Sequence, residues 1–120
     1  MGKKKVDVRT KRIYDPRTKD EGWRVLVDRL WPRGLKKEDA RIDEWARDLA
    51  PSTELRKWFG HDPKRWTEFQ RRYRAELREQ EEALEALRER ARKGRVTLLY
   101  GAKDEQHNQA VVLAELLREG

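Results

Sequence analysis

Residues 98–110, LLYGAKDEQHNQA, contain the most chemically suggestive side chains, because a hydrophobic run ends there in Lys103, Asp104, His107 and Asn108. A carboxylate and an imidazole can transfer protons to and from a bound molecule. Lysine and asparagine can donate hydrogen bonds to an oxyanion. We therefore take Asp104 and His107 as candidate catalytic residues, and Lys103 and Asn108 as candidate ligand-binding residues.

A second segment of this kind is RVLVDRLWPRG, residues 24–34, where Asp28, Arg29 and Arg33 follow another hydrophobic run. Arginine binds phosphate and carboxylate groups well because its planar donors match their oxygens. These three residues are further candidates for ligand binding. Together the two segments favour a small anionic ligand, phosphate-bearing or nucleotide-like, and Tyr14 or Tyr100 could add acid–base chemistry.

Each candidate also has a purely structural interpretation. Asp104 could be the N-cap of the last helix, and His107 could be a surface histidine in its first turn. Asp28 and Arg29 could form a structural ion pair. For His61, in KWFGHD, we favour a capping or loop role over membership of the site. The five tryptophans occupy positions typical of core packing.

Several classes of site are excluded by what the chain lacks. There is no cysteine, which removes disulfides, thiolate metal sites and a cysteine nucleophile. The chain also contains no glycine-rich phosphate loop, no HExxH motif and no serine in a nucleophile elbow, and it has only two histidines. The sequence therefore predicts neither a metal nor a cofactor.

Two strands must position the candidate residues. Residues 24–29 and 95–101 each contain an apolar run of the kind buried on both faces of a sheet, VLV in the first and LLY in the second. The chain between them is predicted to be mostly helical. We predict that they are parallel neighbours at the sheet centre, joined by a right-handed crossover. Their carboxyl ends then share the edge where open α/β sheets bind ligands. Asp28 or Arg29 should lie within reach of the loop 101–108.

The remaining segments complete a predicted α/β fold: one three-layer domain over residues 1–120, with a small, mostly parallel sheet flanked by helices. Residues 6–11 alternate like an edge strand, and a short link makes them antiparallel to 24–29 if the two are neighbours. Helices are predicted at 35–49, between a Ser52 cap and a Gly60 stop, at 63–93, and at the C-terminal end to 117. The 63–93 helix would be about 45 Å long, so it either breaks near REQEE or projects toward a partner.

The net charge of +7 is unevenly distributed, since residues 1–37 hold 13 basic and 5 acidic side chains, or 13 − 5 = +8. This excess could support weak, unspecific nucleic-acid binding. Residues 1–5 could equally be a flexible basic end. No apolar run reaches the roughly 18 residues of a membrane span, so we expect a cytoplasmic protein without a membrane partner.

Four stretches carry a family resemblance: YDP at 14–16, RVLVDRLWPRG at 24–34, DEWARDLAPSTELRKWFGHDPKRWTEF at 43–69 and GRVTLLYGAKDEQHNQAVVLAELL at 94–117. In this order they resemble the YeaO-like proteins, small prokaryotic cytoplasmic proteins with a domain of unknown function. The resemblance implies an α/β domain and supplies no substrate, cofactor or catalytic residue. Wider relatives can carry cysteine in the segment matching YGAKDEQHNQA, and this chain has none.

Three hypotheses about function remain open. The first is an enzyme acting on a phosphate-bearing or nucleotide-like substrate. The second is a non-catalytic binder of nucleotides or nucleic acid. The third is an interaction or regulatory protein that forms a homo-oligomer through the helix at 63–93. A pocket of convergent side chains favours the first, a flat basic face the second, and an exposed apolar helix stripe the third.

Overall fold

A four-stranded, all-parallel sheet forms the centre of the molecule, and the computed structural model describes residues 5–120. The strands are β1 (Val8–Arg12), β2 (Trp23–Leu26), β3 (Glu44–Trp45) and β4 (Val96–Tyr100), in the spatial order β1-β4-β2-β3. All five residues of β4 are buried, as its continuous apolar sequence predicts for a strand covered on both faces.

The predicted parallel pairing of the two central strands is confirmed. Val25 of β2 lies opposite Leu98 of β4, and Leu26 lies opposite Leu99. The ladder continues beyond β2, where the Val27 N–H donates to the Leu99 carbonyl over 3.0 Å. The carboxyl ends of β2 and β4 therefore lie side by side, so the segments that follow them start from the same edge of the sheet.

The antiparallel edge strand is not observed, because β1 is parallel to β4, with Val8 opposite Val96. The link of residues 13–22 joins two strands that are not neighbours, since β4 lies between them. A short link requires two strands to be antiparallel only when they are neighbours in the sheet. Here the link passes over β4, so β1 and β2 can run in the same direction. Backbone hydrogen bonds at both ends fix the β1 register, from Val96 N–H to the Asp7 carbonyl and from Ile13 N–H to the Tyr100 carbonyl.

Within residues 5–120, five α-helices surround the sheet: α1 (Lys37–Ala40), α2 (Thr53–Phe59), α3 (Trp66–Leu77), α4 (Glu81–Lys93) and α5 (Gln109–Glu119). Short 3-10 turns occupy Arg47–Leu49, Pro63–Arg65 and Arg78–Gln80. The predicted limits of α2 are confirmed, because the Ser52 side chain accepts a hydrogen bond from the Leu55 N–H and Gly60 ends the helix at φ 53°.

The helix predicted over residues 35–49 is wrong. Helix α1 has only four residues and stops at Arg41, which adopts a left-handed φ of 48°. The chain then adds β3 to the sheet edge, where the Asp43 carboxylate accepts from the Arg24 N–H over 2.8 Å. The Trp45 indole N–H donates to the Asp28 carbonyl over 2.7 Å. These contacts with β2 and its continuation outweigh the helical spacing of a few apolar residues.

The long apolar stripe of residues 63–93 divides into two helices at Arg78–Gln80, as one of the two predicted alternatives required. Gln80 leaves helical geometry at φ −117° and ψ 37°. The stripe side chains are buried in the protein's own core: Phe69, Tyr73, Leu77, Leu84, Leu87 and Ala91. In the described chain this stripe is therefore not exposed, which removes the basis for a homo-oligomer built through it.

The sheet separates two hydrophobic clusters, which gives the three-layer α/β domain. The larger cluster contains side chains of α2, α3, α4 and α5, and the smaller contains Ala40 of α1 with Trp31 and Leu35 packed against it. Neighbouring residues of β4 point to opposite faces, so Leu98 belongs to the larger cluster and Leu99 to the smaller.

Within residues 5–120, no helix has the length and apolar character needed to cross a membrane. Lys5 is exposed, and the rest of the predicted flexible basic end, residues 1–4, lies outside the described residues.

The start of β2 gives a test of this architecture. A Cβ at Gly22, whose φ is +68°, would lie 2.2 Å from the Arg95 carbonyl oxygen, whereas a Cβ at Gly34, with φ +77°, meets open space. We expect Gly22→Ala to lower the free energy of unfolding by about 3 kcal/mol, from backbone strain and a steric clash. Gly34→Ala should cost about 1 kcal/mol from strain alone. Equal losses in urea unfolding would contradict the close approach of Gly22 to Arg95.

Candidate functional site

A cleft of about 370 Å³ opens where β2 and β4 end. Its walls come from the loops after β1, β2 and β4, from α2 and the turn that follows it, and from the starts of α3 and α5. The lining residues are Tyr14, Asp28, Arg29, Leu30, Trp31, Pro32, Arg33, Pro51, Arg56, Phe59, His61, Phe69, Gly101, Ala102 and Gln109. A depression at the carboxyl ends of parallel strands is the usual ligand position in this fold class.

Asp28 joins the ends of the two central strands. One of its carboxylate oxygens accepts a hydrogen bond from the Gly101 N–H over 2.9 Å, and the other accepts from the side-chain amide of Gln109. This confirms the predicted contact between Asp28 and the loop that follows β4. Both donors are neutral, and within residues 5–120 no cation forms an ion pair with this carboxylate.

Burial raises the pKa of Asp28 to about 6, because an ionised carboxylate is poorly solvated at the base of the cleft. The hydrogen bonds from Gly101 and Gln109 and the charges of His61 and Arg56 act in the opposite direction but do not cancel the effect. A carboxyl group with such a pKa can exchange its proton near neutral pH, and perturbed groups of this kind concentrate at functional sites.

Three guanidinium groups line the same cleft: Arg29, Arg33 and Arg56. The Arg29 side chain donates to the Pro51 carbonyl over 2.9 Å and to the Ala50 carbonyl over 3.3 Å. These neutral acceptors fix its position, and its positive charge is not neutralised by a carboxylate. Throughout the described chain, none of the three forms an ion pair with a carboxylate. The cleft therefore presents excess positive charge around one half-buried carboxyl group.

Apolar and aromatic side chains form the rest of the walls. The Trp31 ring meets Trp45 edge-on at 5.3 Å and donates its N–H to the Leu35 carbonyl over 2.6 Å, so its orientation is fixed. Phe59 stacks on Phe69 at 4.3 Å. Leu30, at the rim, leaves 59% of its surface exposed. Such walls suit a flat, apolar part of a ligand.

His61 belongs to the cleft, although the sequence favoured a loop role for it. It follows the helix stop at Gly60 and has a left-handed φ of 58°, a conformation uncommon for a residue with a side chain. Its imidazole makes no hydrogen bond to any residue from 5 to 120. Its charge also acts on Asp28, so the two titratable groups share the cleft.

Asp104 and His107, the candidate catalytic pair, bond to each other within one loop and do not line the cleft. The Asp104 carboxylate accepts from the backbone N–H groups of Gln106 and His107 and lies 2.8 Å from the His107 Nδ1. The hydrogen bonds from Gln106 and His107 lower the pKa of Asp104. The imidazole meets the edge of Trp66 at 5.2 Å. The pair holds the loop after β4 against α3.

Lys103 and Asn108 also lie outside the lining of the cleft. Lys103 is exposed, whereas Asn108 leaves only 1% of its surface exposed. Asn108 accepts from the Val111 N–H and donates to the Asp104 carbonyl, so it caps α5, the role considered for Asp104. Of the seven candidate residues, the cleft thus brings together Asp28, Arg29 and Arg33.

Arg56, His61 and Gln109 are the cleft residues with basic or amide side chains that were not among the candidates predicted from the sequence. Arg56 and Gln109 look like ordinary polar positions of a helix. His61 carried one usable signal, since it directly follows a glycine stop and precedes the Asp62 cap. Within the described residues there is no cluster of three or more acidic or histidine side chains placed to hold a metal ion.

Comparison with known proteins identifies relatives along nearly the whole chain. Residues 7–120 match the family model DUF488-N3i, described as the inactive DUF488-N3 subclade. The protein named "Uncharacterized protein YeaO" of Escherichia coli K12 is 46% identical over 113 residues, covering 94% of this chain and 98% of the relative. "Uncharacterized protein Rv3073c" of Mycobacterium tuberculosis H37Rv is 44% identical over 110 residues, 92% of each chain. No solved structure gives a significant match.

The raised pKa of Asp28 predicts a specific pH dependence of stability. Because the folded-state pKa of about 6 exceeds the ordinary value of 3.8, the folded protein binds more protons than the unfolded chain between these values. Stability from this group therefore rises as the pH falls through 6, and is lost again as the pH rises. We expect the wild type to gain about 1 to 2 kcal/mol over Asp28→Asn between about pH 7 and pH 5.

Urea unfolding at the two pH values measures this difference, and Asp39→Asn, which changes an exposed carboxylate outside the cleft, is the matched control. A carbon-13 NMR titration reports the Asp28 carboxyl directly. Titration near the ordinary value of about 4 would contradict the described burial of the group.

Proposed function

The chain belongs to the DUF488-N3i family, described as the inactive DUF488-N3 subclade. We propose that it is a binding protein for a small molecule that carries an oxyanion. The ligand occupies the cleft at the ends of β2 and β4. Its phosphate or carboxylate group contacts the guanidinium groups of Arg29, Arg33 and Arg56. The observation that carries this proposal is the convergence on one partly apolar cleft of three arginines that have no carboxylate partner among residues 5–120.

The electrostatics of the cleft support an anionic ligand over a neutral one. Guanidinium groups bind oxyanions through paired, charge-assisted hydrogen bonds, which are stronger than those between neutral groups. Arg29 is already oriented by the carbonyl oxygens of Ala50 and Pro51, so little of its side-chain entropy remains to be lost on binding. The aromatic walls then suit a flat substituent of the same molecule.

An enzyme acting on such a ligand is the second candidate function. Asp28, with its pKa of about 6, lines the same cleft as the imidazole of His61, and carboxyl and imidazole groups are common acid–base catalysts. We rank this candidate second because the family model is described as inactive. Asp104 and His107, the pair proposed from the sequence, also bond to each other outside the cleft lining.

The nucleic-acid hypothesis has less support, because many basic side chains of residues 1–37 have internal partners. Arg24 is buried against Glu21, and Lys11 contacts the same carboxylate at 2.5 Å. Burial opposes ionisation of Glu21, but hydrogen bonds from Lys11 and Thr18 outweigh it and lower its pKa to about 2. Part of the positive charge of residues 1–37 is therefore paired with Glu21 inside the fold and is not available to phosphate groups of a nucleic acid.

The binding proposal predicts that Arg56→Ala weakens binding of phenyl phosphate about 10-fold or more, because a charge-assisted hydrogen bond is lost. Isothermal titration calorimetry of the wild type and the variant measures the effect. Lys57→Ala, which removes the neighbouring cation outside the cleft lining, should bind like the wild type. Equal weakening by both variants would indicate unspecific attraction and contradict a built site.

A phosphate-release assay on the same samples separates the two functions. We expect no release from phenyl phosphate above the rate without protein. Release that disappears in Asp28→Asn while binding persists would establish the enzyme as the correct candidate.

A further inference from the structure

We infer that the ligand of the cleft carries a positively charged group as well as an oxyanion, and that Asp28 is the residue that selects for the positive group. The inference rests on the proposed function and specifies the class of ligand: a small molecule with an ammonium or similar cationic donor at one end, an oxyanion at the other, and an apolar part between them.

Asp28 lacks a cationic ion-pair partner among residues 5–120. A carboxylate removed from water usually has a cationic partner, because an unpaired buried charge is costly. Glu21, a buried carboxylate outside the cleft lining, has two such partners in Lys11 and Arg24. Among residues 5–120, Asp28 has only the Gly101 N–H and the Gln109 amide as donors.

The neighbouring arginine does not fill this role. Arg29 directs its guanidinium group to the carbonyl oxygens of Ala50 and Pro51. Arg56 and His61 line the cleft and influence Asp28 only through their charges, without a hydrogen bond to it. The position of a cation beside Asp28 is therefore unfilled by the described residues, in a cleft that is open to a ligand.

A ligand cation would supply the favourable interaction that the protein itself does not provide. The acceptor geometry is already fixed, because hydrogen bonds from two different segments hold the two carboxylate oxygens. Each oxygen has a further lone pair available to a donor. The oxyanion of the same ligand would contact the arginines, and the apolar walls at Trp31 and Phe59 would cover the part between the two charged ends.

A matched pair of probes isolates the contribution of Asp28. O-phosphotyramine carries a phosphate, an aromatic ring and an ammonium group. 4-(2-Hydroxyethyl)phenyl phosphate has the same phosphate and ring, with a hydroxyl in place of the ammonium. A cleft that attracts anions by charge alone favours the hydroxyl compound, because its net charge is more negative. A preference for phosphotyramine therefore reports a specific acceptor for the ammonium group.

Calorimetry at about pH 7.5, where Asp28 is ionised, should give a dissociation constant about 10-fold lower for phosphotyramine than for the hydroxyl compound. In Asp28→Asn the two constants should agree within about threefold, since the amide keeps an acceptor but loses the charge. Asp39→Asn, the control outside the cleft, should keep the full preference.

The wild type also allows a test without any substitution. Lowering the pH to about 5 protonates Asp28 and should reduce the ratio of the two constants. The titration of the phosphate affects both probes alike and cancels in this ratio, and the arginine charges do not change over this range. The charge of His61 acts on the ammonium group of only one probe, so the test is repeated in His61→Gln, where the ratio should decline as in the wild type.

The outcomes separate this inference from the proposed function. If the wild type binds both probes equally well, or if Asp28→Asn keeps the preference, the inference is wrong and oxyanion binding stands. If neither probe binds, the proposed function and the inference are both wrong. A preference that depends on Asp28 and declines at low pH supports both.

Discussion

The hydrogen bond from the Gly101 N–H to the Asp28 carboxylate, 2.9 Å long, connects the ends of the two central strands. It exists only because β2 and β4 are parallel and adjacent, so that their carboxyl ends meet at one edge. A Cβ at Gly101 would lie 2.9 Å from the Asp28 oxygen, so a larger residue there would require this carboxylate to shift. The position of the cleft, its electrostatics and the orientation of α5 through Gln109 all depend on this connection.

This connection also has an energetic cost. Burial raises the pKa of Asp28 to about 6, so keeping the carboxylate ionised at neutral pH works against folding. A buried threonine or asparagine could satisfy the same neutral donors without a charge. Glu21, by contrast, has two cationic partners that help to lower its pKa to about 2, and the proposed ligand cation would be the corresponding partner of Asp28.

The sequence predicts the centre of this arrangement well and its surroundings poorly. The apolar runs VLV and VTLLY identify β2 and β4 because strands buried on both faces have few alternatives. The orientation of β1 could not be derived, since it depends on which strands are neighbours, and local sequence does not encode that order. Residues 35–49 illustrate the limit of periodicity: Trp45 and Leu49 have helical spacing, but contacts with β2 place residues 44 and 45 in the sheet.

The residues of the candidate site were also predictable only in part. Asp28, Arg29 and Arg33 were predictable because they directly follow a core strand. Arg56 lies on an exposed helix face, where an arginine that lines a cleft and one that faces solvent have the same local sequence. Asp104 and His107 were attractive as a pair, yet three residues apart they satisfy each other within one turn. Local spacing shows which side chains can meet, and only the tertiary fold shows which of them face a ligand.

The most direct test of the central claim is a nitrogen-15 NMR titration of the wild type with phenyl phosphate. Binding in the cleft predicts that the largest shifts fall on the backbone amides of residues 29–31, 56–61 and 101–102, and that those around Glu21 and Arg95 stay unchanged. Shifts that centre on the Glu21 region, or that spread over the basic surface and vanish with added salt, would contradict the account.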